Sequence, residues 1–146
     1  AETVECLSEM KRRGLTRHIG VSNYSPDLVD EAVRASPEPI VANQIEYHPF
    51  VDRSGWLAAN RRHGLATTAY SPIARGRVAG NRVLEDIAAT HGKTAAQITL
   101  RWLIQQPGVV VIPKSSRRQR LEENLAIFDF DLSDEEMAQV SGLAQR

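Results

Sequence analysis

The stretch Val109 to Asn124, which reads VVVIPKSSRRQRLEEN, decides the fold. It begins with a run of β-branched residues that predicts a short buried strand, and a proline ends that strand. Lys114, Ser115 and Ser116 follow and lead into a helix-like segment. The unpaired N–H groups of a helix start, together with the helix dipole, favour an anion, and Lys114 and Arg120 would add positive charge. A solvated basic helix start is the alternative, and the stretch alone does not decide between the two.

Composition limits the classes of protein that fit this chain. Its 146 residues are 42% hydrophobic and 25% charged, which is typical of a soluble globular protein with one core. The formal net charge is zero, so no nucleic-acid partner is indicated. Cys6 is the only cysteine, which excludes an internal disulfide and favours a reducing compartment. No apolar run approaches ~20 residues and no signal-peptide core is evident, so we expect a cytoplasmic protein with no membrane contact.

Strand-like and helix-like segments alternate along the chain. Strands are predicted over 17–21, 40–45, 65–70 and 109–112, and helices over 2–13, 26–35, 53–62 and 83–91, from 94, from about 117 and from 133. Leu28, Val29, Ala32 and Val33 are expected to face inward in the second helix. One helix followed by four strand–loop–helix units predicts an α/β fold with a parallel sheet and right-handed crossovers.

Polar or aromatic residues follow each predicted strand. They are Ser22 and Asn23, Gln44 and Glu46, Tyr70 and Ser71, and Lys114 and Ser115. The carboxyl ends of parallel strands lie at one rim, where open α/β sheets and barrels carry their functional groups. The chain has neither the G-x-G-x-x-G fingerprint after its first strand nor a P-loop. No His, Asp and Glu spacing indicates a metal, and His48 is assigned a structural role.

Four separated motifs together resemble those of the aldo-keto reductase family. They are G-V-S-N at 20–23, N-Q-I-E-Y-H-P at 43–49, A-Y-S-P-I at 69–73 and I-P-K-S…R-x-x-E-N at 112–124. Their order and approximate spacing match the family over essentially the whole chain. The resemblance implies a TIM (β/α)8 barrel that binds extended NADPH and reduces aldehydes and ketones to alcohols.

The resemblance also implies which residues contact the cofactor. Those on the nicotinamide and pyrophosphate side are Ser22, Asn23 and Gln44 for the carboxamide, Tyr70 for the ring face, Ser71 and Ile73 for the pyrophosphate, and, more loosely, Arg75 for a covering loop. Those on the adenosine side are Lys114, Ser115 and Arg120 for the 2′-phosphate, Ser116 and Arg117 beside them, and Glu123 and Asn124 for the adenine. Structural alternatives exist, since asparagine favours turns, glutamine can pair with backbone, and a tyrosine or a helix end can serve packing alone.

The chain departs from the family in its length. The family's catalytic Asp, Tyr, Lys and His lie on the first four β/α units, whereas residues 1–146 are expected to form a single C-terminal half-barrel that begins before the fifth strand. A closed barrel of this type needs ~250 residues, and four strands leave two open edges. We therefore expect no catalytic residue in this chain and no carbonyl reduction by it alone.

Two partners remain open for the predicted half-barrel. Either the missing N-terminal half completes an enzyme that acts on a small carbonyl substrate, or a second copy of the chain pairs with the open edges. In the second case the chain is a non-catalytic, NADP-binding or self-associating module.

Overall fold

The structure, a computed structural model, describes residues 2–145. Its helices are α1 (Glu2–Arg12), α2 (Pro26–Ala35), α3 (Ser54–Arg62), α4 (Arg82–His91), α5 (Ala95–Ile104), α6 (Arg118–Leu125) and α7 (Asp134–Ser141). Its strands are β1 (Ile19–Ser22), β2 (Ile40–Glu46), β3 (Ala66–Tyr70) and β4 (Val109–Val111). Short 3₁₀ helices lie at Ala74–Gly76 and Gly142–Gln145. The predicted order of strands and helices is confirmed, with small differences at the element ends.

The strands form one sheet in the order β1-β2-β3-β4. Strands β1 and β2 are parallel, with Val21 opposite Asn43 and Ser22 opposite Gln44. A Cβ atom at Gly20 would lie 3.1 Å from the Ala42 carbonyl oxygen, which explains why a glycine occupies this position. The parallel sheet with flanking helices confirms the predicted α/β half-barrel class.

Side-chain caps fix the starts of four helices, among them α4, where the Asn81 side chain accepts a hydrogen bond from the Leu84 N–H. The Ser25 side chain accepts a hydrogen bond from the Leu28 N–H at the start of α2. Complete capping boxes begin α5, at Thr94 and Gln97, and α7, at Ser133 and Glu136. A cap of this kind stabilises a helix by about 1 kcal/mol, so these ends are determined by local sequence.

The chain divides into two compact units. Unit 1 comprises the residues up to Ile45 together with Arg53–Thr68, and unit 2 comprises Glu46–Asp52 and the residues from Ala69 onward. The core of unit 1 contains Val4, Ile19, Val29, Ala32, Ile40 and Leu65. The core of unit 2 is built mainly from α4 and α5, with Leu84, Ile98, Leu100, Leu103 and Val140 fully buried. Each unit therefore buries apolar side chains of its own.

Two burial predictions are wrong. Leu28 was expected to face inward, but 45% of its surface is exposed, because Val29 and Ala32 take the inward positions of α2. The fourth strand was expected to be buried, yet Val110 is 50% exposed and Ile112 is 46% exposed. Strand β4 is the last in the strand order, so only one of its edges is paired in the sheet.

Candidate functional site

In unit 1 the ends of β1 and β2 bring together the three residues predicted to hold a carboxamide. The Ser22 hydroxyl donates to the Gln44 carbonyl over 3.0 Å, and the Asn23 N–H donates to the same oxygen over 2.8 Å. Asn23 has a φ of +58°, a left-handed conformation that asparagine tolerates better than most residues. The turn therefore satisfies backbone groups while Ser22 and Asn23 remain exposed at the strand end.

Asn43 holds this turn and was not identified from the sequence. Its side chain is fully buried and pairs twice with Tyr24, accepting from the backbone N–H at 3.3 Å and donating to the carbonyl at 2.9 Å. The same amide nitrogen donates to Asn60 Oδ1 at 3.2 Å, and Asn60 donates to Thr67 Oγ1 at 2.9 Å. No local signal distinguishes Asn43 from the other polar residues of β2, Gln44 and Glu46. We therefore assign Asn43 to positioning the Ser22–Asn23 turn.

In unit 2 the loop after β3 contains several left-handed residues. Ser71, Ala74 and Arg75 have φ values of +50°, +48° and +55°, a region that non-glycine residues seldom occupy. The Ala74 N–H donates to the Ser71 carbonyl over 2.8 Å, which closes the loop on itself. Strained backbone of this kind is concentrated at functional sites.

A cavity of about 420 Å³ lies in unit 2 and is called the polar cavity, because charged and hydroxyl side chains contribute to its lining. Six of the predicted cofactor residues line it, namely Ile73, Lys114, Ser115, Arg120, Glu123 and Asn124. Helix α4, the start of α5 and the residues between these helices supply further lining residues that were not predicted, chiefly Glu85, Lys93, Thr94, Ala95 and Ala96. Five of the seven residues that the resemblance assigns to the adenosine end of the cofactor therefore lie in this cavity, and Ser116 and Arg117 do not.

Two of the cations that line the polar cavity, Lys114 and Arg120, are not used in ion pairs with described residues. Lys93 is bound to the Asp129 carboxylate at 2.8 Å, and it lowers the pKa of that carboxyl through the hydrogen bond. Lys114 and Arg120 form no ion pair with any described residue, and both are exposed. Two unpaired cations with a neighbouring hydroxyl, that of Ser115, are well suited to a phosphate group.

The remaining predicted residues do not line the polar cavity. Tyr70 and Ser71 are half-buried, and the Tyr70 carbonyl accepts from the Tyr47 N–H at 3.3 Å. Arg75, Ser116 and Arg117 are exposed outside the cavity wall. The Arg117 N–H donates to Ser115 Oγ at 3.1 Å, which shapes the turn before α6.

His48 is buried in unit 2, which agrees with its predicted structural role. Only 1% of its surface is exposed, and its Nδ1 accepts from the Phe50 N–H at 3.2 Å. Burial lowers the pKa of His48, because the imidazolium ion loses solvation, and the neighbouring Glu46 carboxylate offsets part of this effect. The folded state therefore favours the neutral form of the His48 imidazole over the imidazolium ion.

Lowering the pH from about 7 to about 5 is expected to destabilise the chain partly through His48. The pKa of His48 lies below its ordinary value of 6.5 in the folded chain, so the unfolded chain binds this proton first. The stabilisation is complete above 6.5 and is lost as the pH falls towards the folded-state pKa. Between about pH 7 and about pH 5 the midpoint of urea unfolding should fall less for His48→Asn than for the unsubstituted chain. Equal decreases would show that His48 does not cause the destabilisation.

No group of three or more His, Cys, Asp and Glu side chains within residues 2–145 is placed to hold a metal ion. None of the helices over the same residues has the length and apolar character needed to cross a membrane.

The family model described as the aldo/keto reductase family matches residues 1–145. An aldo-keto reductase of Mycolicibacterium vanbaalenii is 40% identical over 137 residues, which cover 94% of this chain and 49% of that protein. The chain thus spans about half the length of the curated relatives that it matches.

Solved structures show the same relation. The thermostable aldo-keto reductase Tm1743, determined in complex with the inhibitor epalrestat, superposes with a TM-score of 0.91 and 42% identity. That match covers 97% of this chain and 54% of Tm1743. A variant of Gox0644 in complex with NADPH superposes with a TM-score of 0.91 and 34% identity, covering 97% of this chain and 52% of that one.

Proposed function

The chain belongs to the aldo/keto reductase family, and we propose that it is the nucleotide-binding half of an NADPH-dependent reductase of aldehydes and ketones. The polar cavity of unit 2 carries this proposal, because it gathers Lys114, Ser115 and Arg120 with Glu123 and Asn124. The NADPH complex of the Gox0644 variant, a relative by fold and sequence, supports the same cofactor.

The chemistry of the polar cavity fits the adenosine end of NADPH. A 2′-phosphate carries close to two negative charges and several acceptor oxygens, and the cavity offers an ammonium, a guanidinium and a hydroxyl. The Glu123 carboxylate and the Asn124 amide supply acceptors and donors of the kind that the edge of an adenine ring requires. A site for NAD alone would gain nothing from two unpaired cations, so the residues favour NADP.

The residues of this chain would bind and orient the cofactor. NADPH, when bound, supplies the hydride for carbonyl reduction. Lys114 and Arg120 would hold the 2′-phosphate, and the side chains of Ser22, Asn23 and Gln44 would hold the carboxamide. Tyr70 would cover one face of the nicotinamide ring. Fixing the cofactor in one orientation is a large part of the rate enhancement in such reactions.

We further propose that the other β/α units of the family fold dock on unit 2 through an apolar groove. The groove has a volume of about 790 Å³ and is lined mainly by β4, α6 and the residues after α6: Ile104, Val111, Ile112, Leu121, Leu125, Ile127 and Phe128. Leu125 is 71% exposed and Phe128 is 72% exposed. Large exposed apolar surface next to an open strand edge is characteristic of an interaction surface. Lys114, Ser115 and Asn124 line this groove as well as the polar cavity.

The 146-residue chain is expected to bind NADPH but not to oxidise it when an aldehyde is added. Isothermal titration calorimetry measures the first property, and absorbance of the reduced nicotinamide measures the second. Adding a polypeptide that comprises the first four β/α units of a relative should produce turnover. Leu125→Asp should prevent that gain, because a buried unpaired charge is costly, while leaving NADPH binding by the chain intact. Turnover by the chain alone, abolished by Tyr70→Ala, would contradict the proposal.

A second candidate function is a non-catalytic NADP-binding module that pairs with a copy of itself. The exposed edge of β4 and the apolar groove favour it, since a second copy would also cover them. Sedimentation velocity separates the two functions. A dimer at micromolar concentration that cannot be dissociated by the added β/α units supports self-pairing, and a well-folded monomer excludes it.

A further inference from the structure

We propose that Gln97 is a positioning residue for the nucleotide site, because its side-chain amide holds the end of α6 against α5. This inference rests on the proposed function, since α6 carries the residues assigned to the adenosine end of NADPH. Gln97 has no place in the motifs that resemble the family, and the sequence indicated only its role in the cap of α5.

Helix α6 has little else to fix its orientation. The helix, which is described over its whole length, contains no fully buried residue. Its N-cap residue, Arg117, provides no side-chain hydrogen bond to the first turn. Arg118 pairs only along the helix, with Glu122 one turn later. Apolar packing, which normally supplies most helical stability in proteins, is therefore weak for α6 in the described part of the chain.

The Gln97 side chain forms hydrogen bonds with the C-terminal end of α6. Its Nε2 donates to the Glu123 carbonyl over 3.1 Å and to the Ala126 carbonyl over 3.0 Å. The Glu123 carbonyl also accepts from the Ala126 N–H at 3.1 Å, and a side-chain donor at this point adds a further hydrogen bond at the helix end. Glu123 and Asn124 lie at this anchored end and line the polar cavity.

The other half of the amide fixes the position of Gln97 itself. Its Oε1 accepts from the Thr94 N–H at 3.0 Å, and its own N–H donates to Thr94 Oγ1 at 3.2 Å. The residue is only 6% exposed. The amide can adopt only this orientation, because Nε2 faces two carbonyl oxygens and Oε1 faces an N–H group. The Gln97 side chain thus connects the capping box of α5 to the end of α6, where Glu123 and Asn124 line the polar cavity.

Lys93 gives partial support to the same helix end. Its ammonium group donates to the Ala126 carbonyl at 3.2 Å and to the Asp129 carboxylate at 2.8 Å. Gln97 is the side chain that reaches the Glu123 carbonyl, within the residue that would contact adenine. Both side chains therefore anchor Ala126, and Gln97 also anchors Glu123, which lines the polar cavity.

Gln97→Glu separates the two roles of this side chain. A glutamate at this position still accepts from the Thr94 N–H and preserves the capping box, which natural helices form equally with Glu or Gln. The substitution replaces the amide donor by a carboxylate oxygen that faces two carbonyl oxygens, so both bonds to α6 are lost. We expect adenosine 2′,5′-bisphosphate to bind about tenfold more weakly. Amide exchange over residues 121–126 should be about tenfold faster without ligand.

Ser133→Ala is the matched control. It removes the side-chain cap that Ser133 provides to Glu136 in α7, and Ser133 does not line the polar cavity. This variant should lose thermal stability but keep the affinity for the bisphosphate and the exchange rates of α6. If Gln97→Glu does not fold, Gln97→Asn, which keeps a neutral amide but shortens its reach, takes its place with the same expected losses.

Two results would overturn the inference. One is binding of the bisphosphate by the folded Gln97 variant within twofold of the unsubstituted chain, and the other is unchanged exchange of the α6 amides. Failure of the unsubstituted chain to bind the bisphosphate would instead refute the proposed function. The exchange measurement needs no ligand, so it would still show whether Gln97 holds α6.

Discussion

Replacing Lys114 by methionine is expected to weaken NADPH binding by about 50-fold and to leave NADH binding nearly unchanged. The ammonium group is the point charge nearest the start of the strand–helix turn, and it has no carboxylate partner among the described residues. Only NADPH carries the 2′-phosphate that this charge would contact. Fluorescence of the reduced nicotinamide, titrated with both cofactors, measures the two affinities directly.

Arg118→Met provides the matched control for Lys114→Met. Arg118 is an exposed cation on the same helix–turn segment, but it is paired with Glu122 at 2.8 Å and does not line the polar cavity. Its removal should alter neither affinity beyond the weak effect of a distant surface charge. Equal losses of NADPH binding in both variants would indicate a diffuse basic surface rather than a phosphate site.

Asn43→Ala is expected to lower the free energy of unfolding by about 3 kcal/mol. The substitution leaves the backbone N–H and carbonyl of Tyr24 without their side-chain partner. It also removes the amide that donates to Asn60 Oδ1. Each unsatisfied buried group costs about 1–3 kcal/mol, and water has little access to this site. Urea denaturation followed by circular dichroism measures the loss.

Asn81→Ala is the comparison for Asn43→Ala. Asn81 caps α4 through a single bond to the Leu84 N–H, so its loss should cost about 1 kcal/mol. A similar cost at Asn43 would show that the buried amide network contributes no more than an ordinary helix cap. The Ser22–Asn23 turn should also change conformation in Asn43→Ala, which the chemical shifts of these two residues would report.

Local signals explain why the order of elements could be predicted from the sequence. The capping residues Ser25, Thr94 and Ser133 act within one helical turn, and the β-branched run at 109–111 forms β4. Burial depends on what covers an element, which local sequence does not contain. For this reason the burial predicted for Val110 and Leu28 from their sequence patterns is wrong, and both side chains are exposed.

In the candidate site, too, the residues of one short segment could be predicted, whereas contacts between distant segments could not. Lys114, Ser115 and Arg120 come from one short segment, and the structure brings them to one cavity. The positioning roles of Asn43 and Gln97 were not predicted, because each side chain acts on backbone groups that are distant in the sequence. The exposed positions of Arg75, Ser116 and Arg117 depend on the course of two loops, and strand and helix patterns carry no information about that course.

The three residues shared by the polar cavity and the apolar groove have a thermodynamic consequence. In the proposed function a nucleotide binds on one side of these residues and a polypeptide docks on the other, so whichever binds first would restrict their motion. The second binding event then loses less conformational entropy, so cofactor and polypeptide strengthen each other by the same factor. Affinities measured on the isolated chain are accordingly lower limits for the completed barrel.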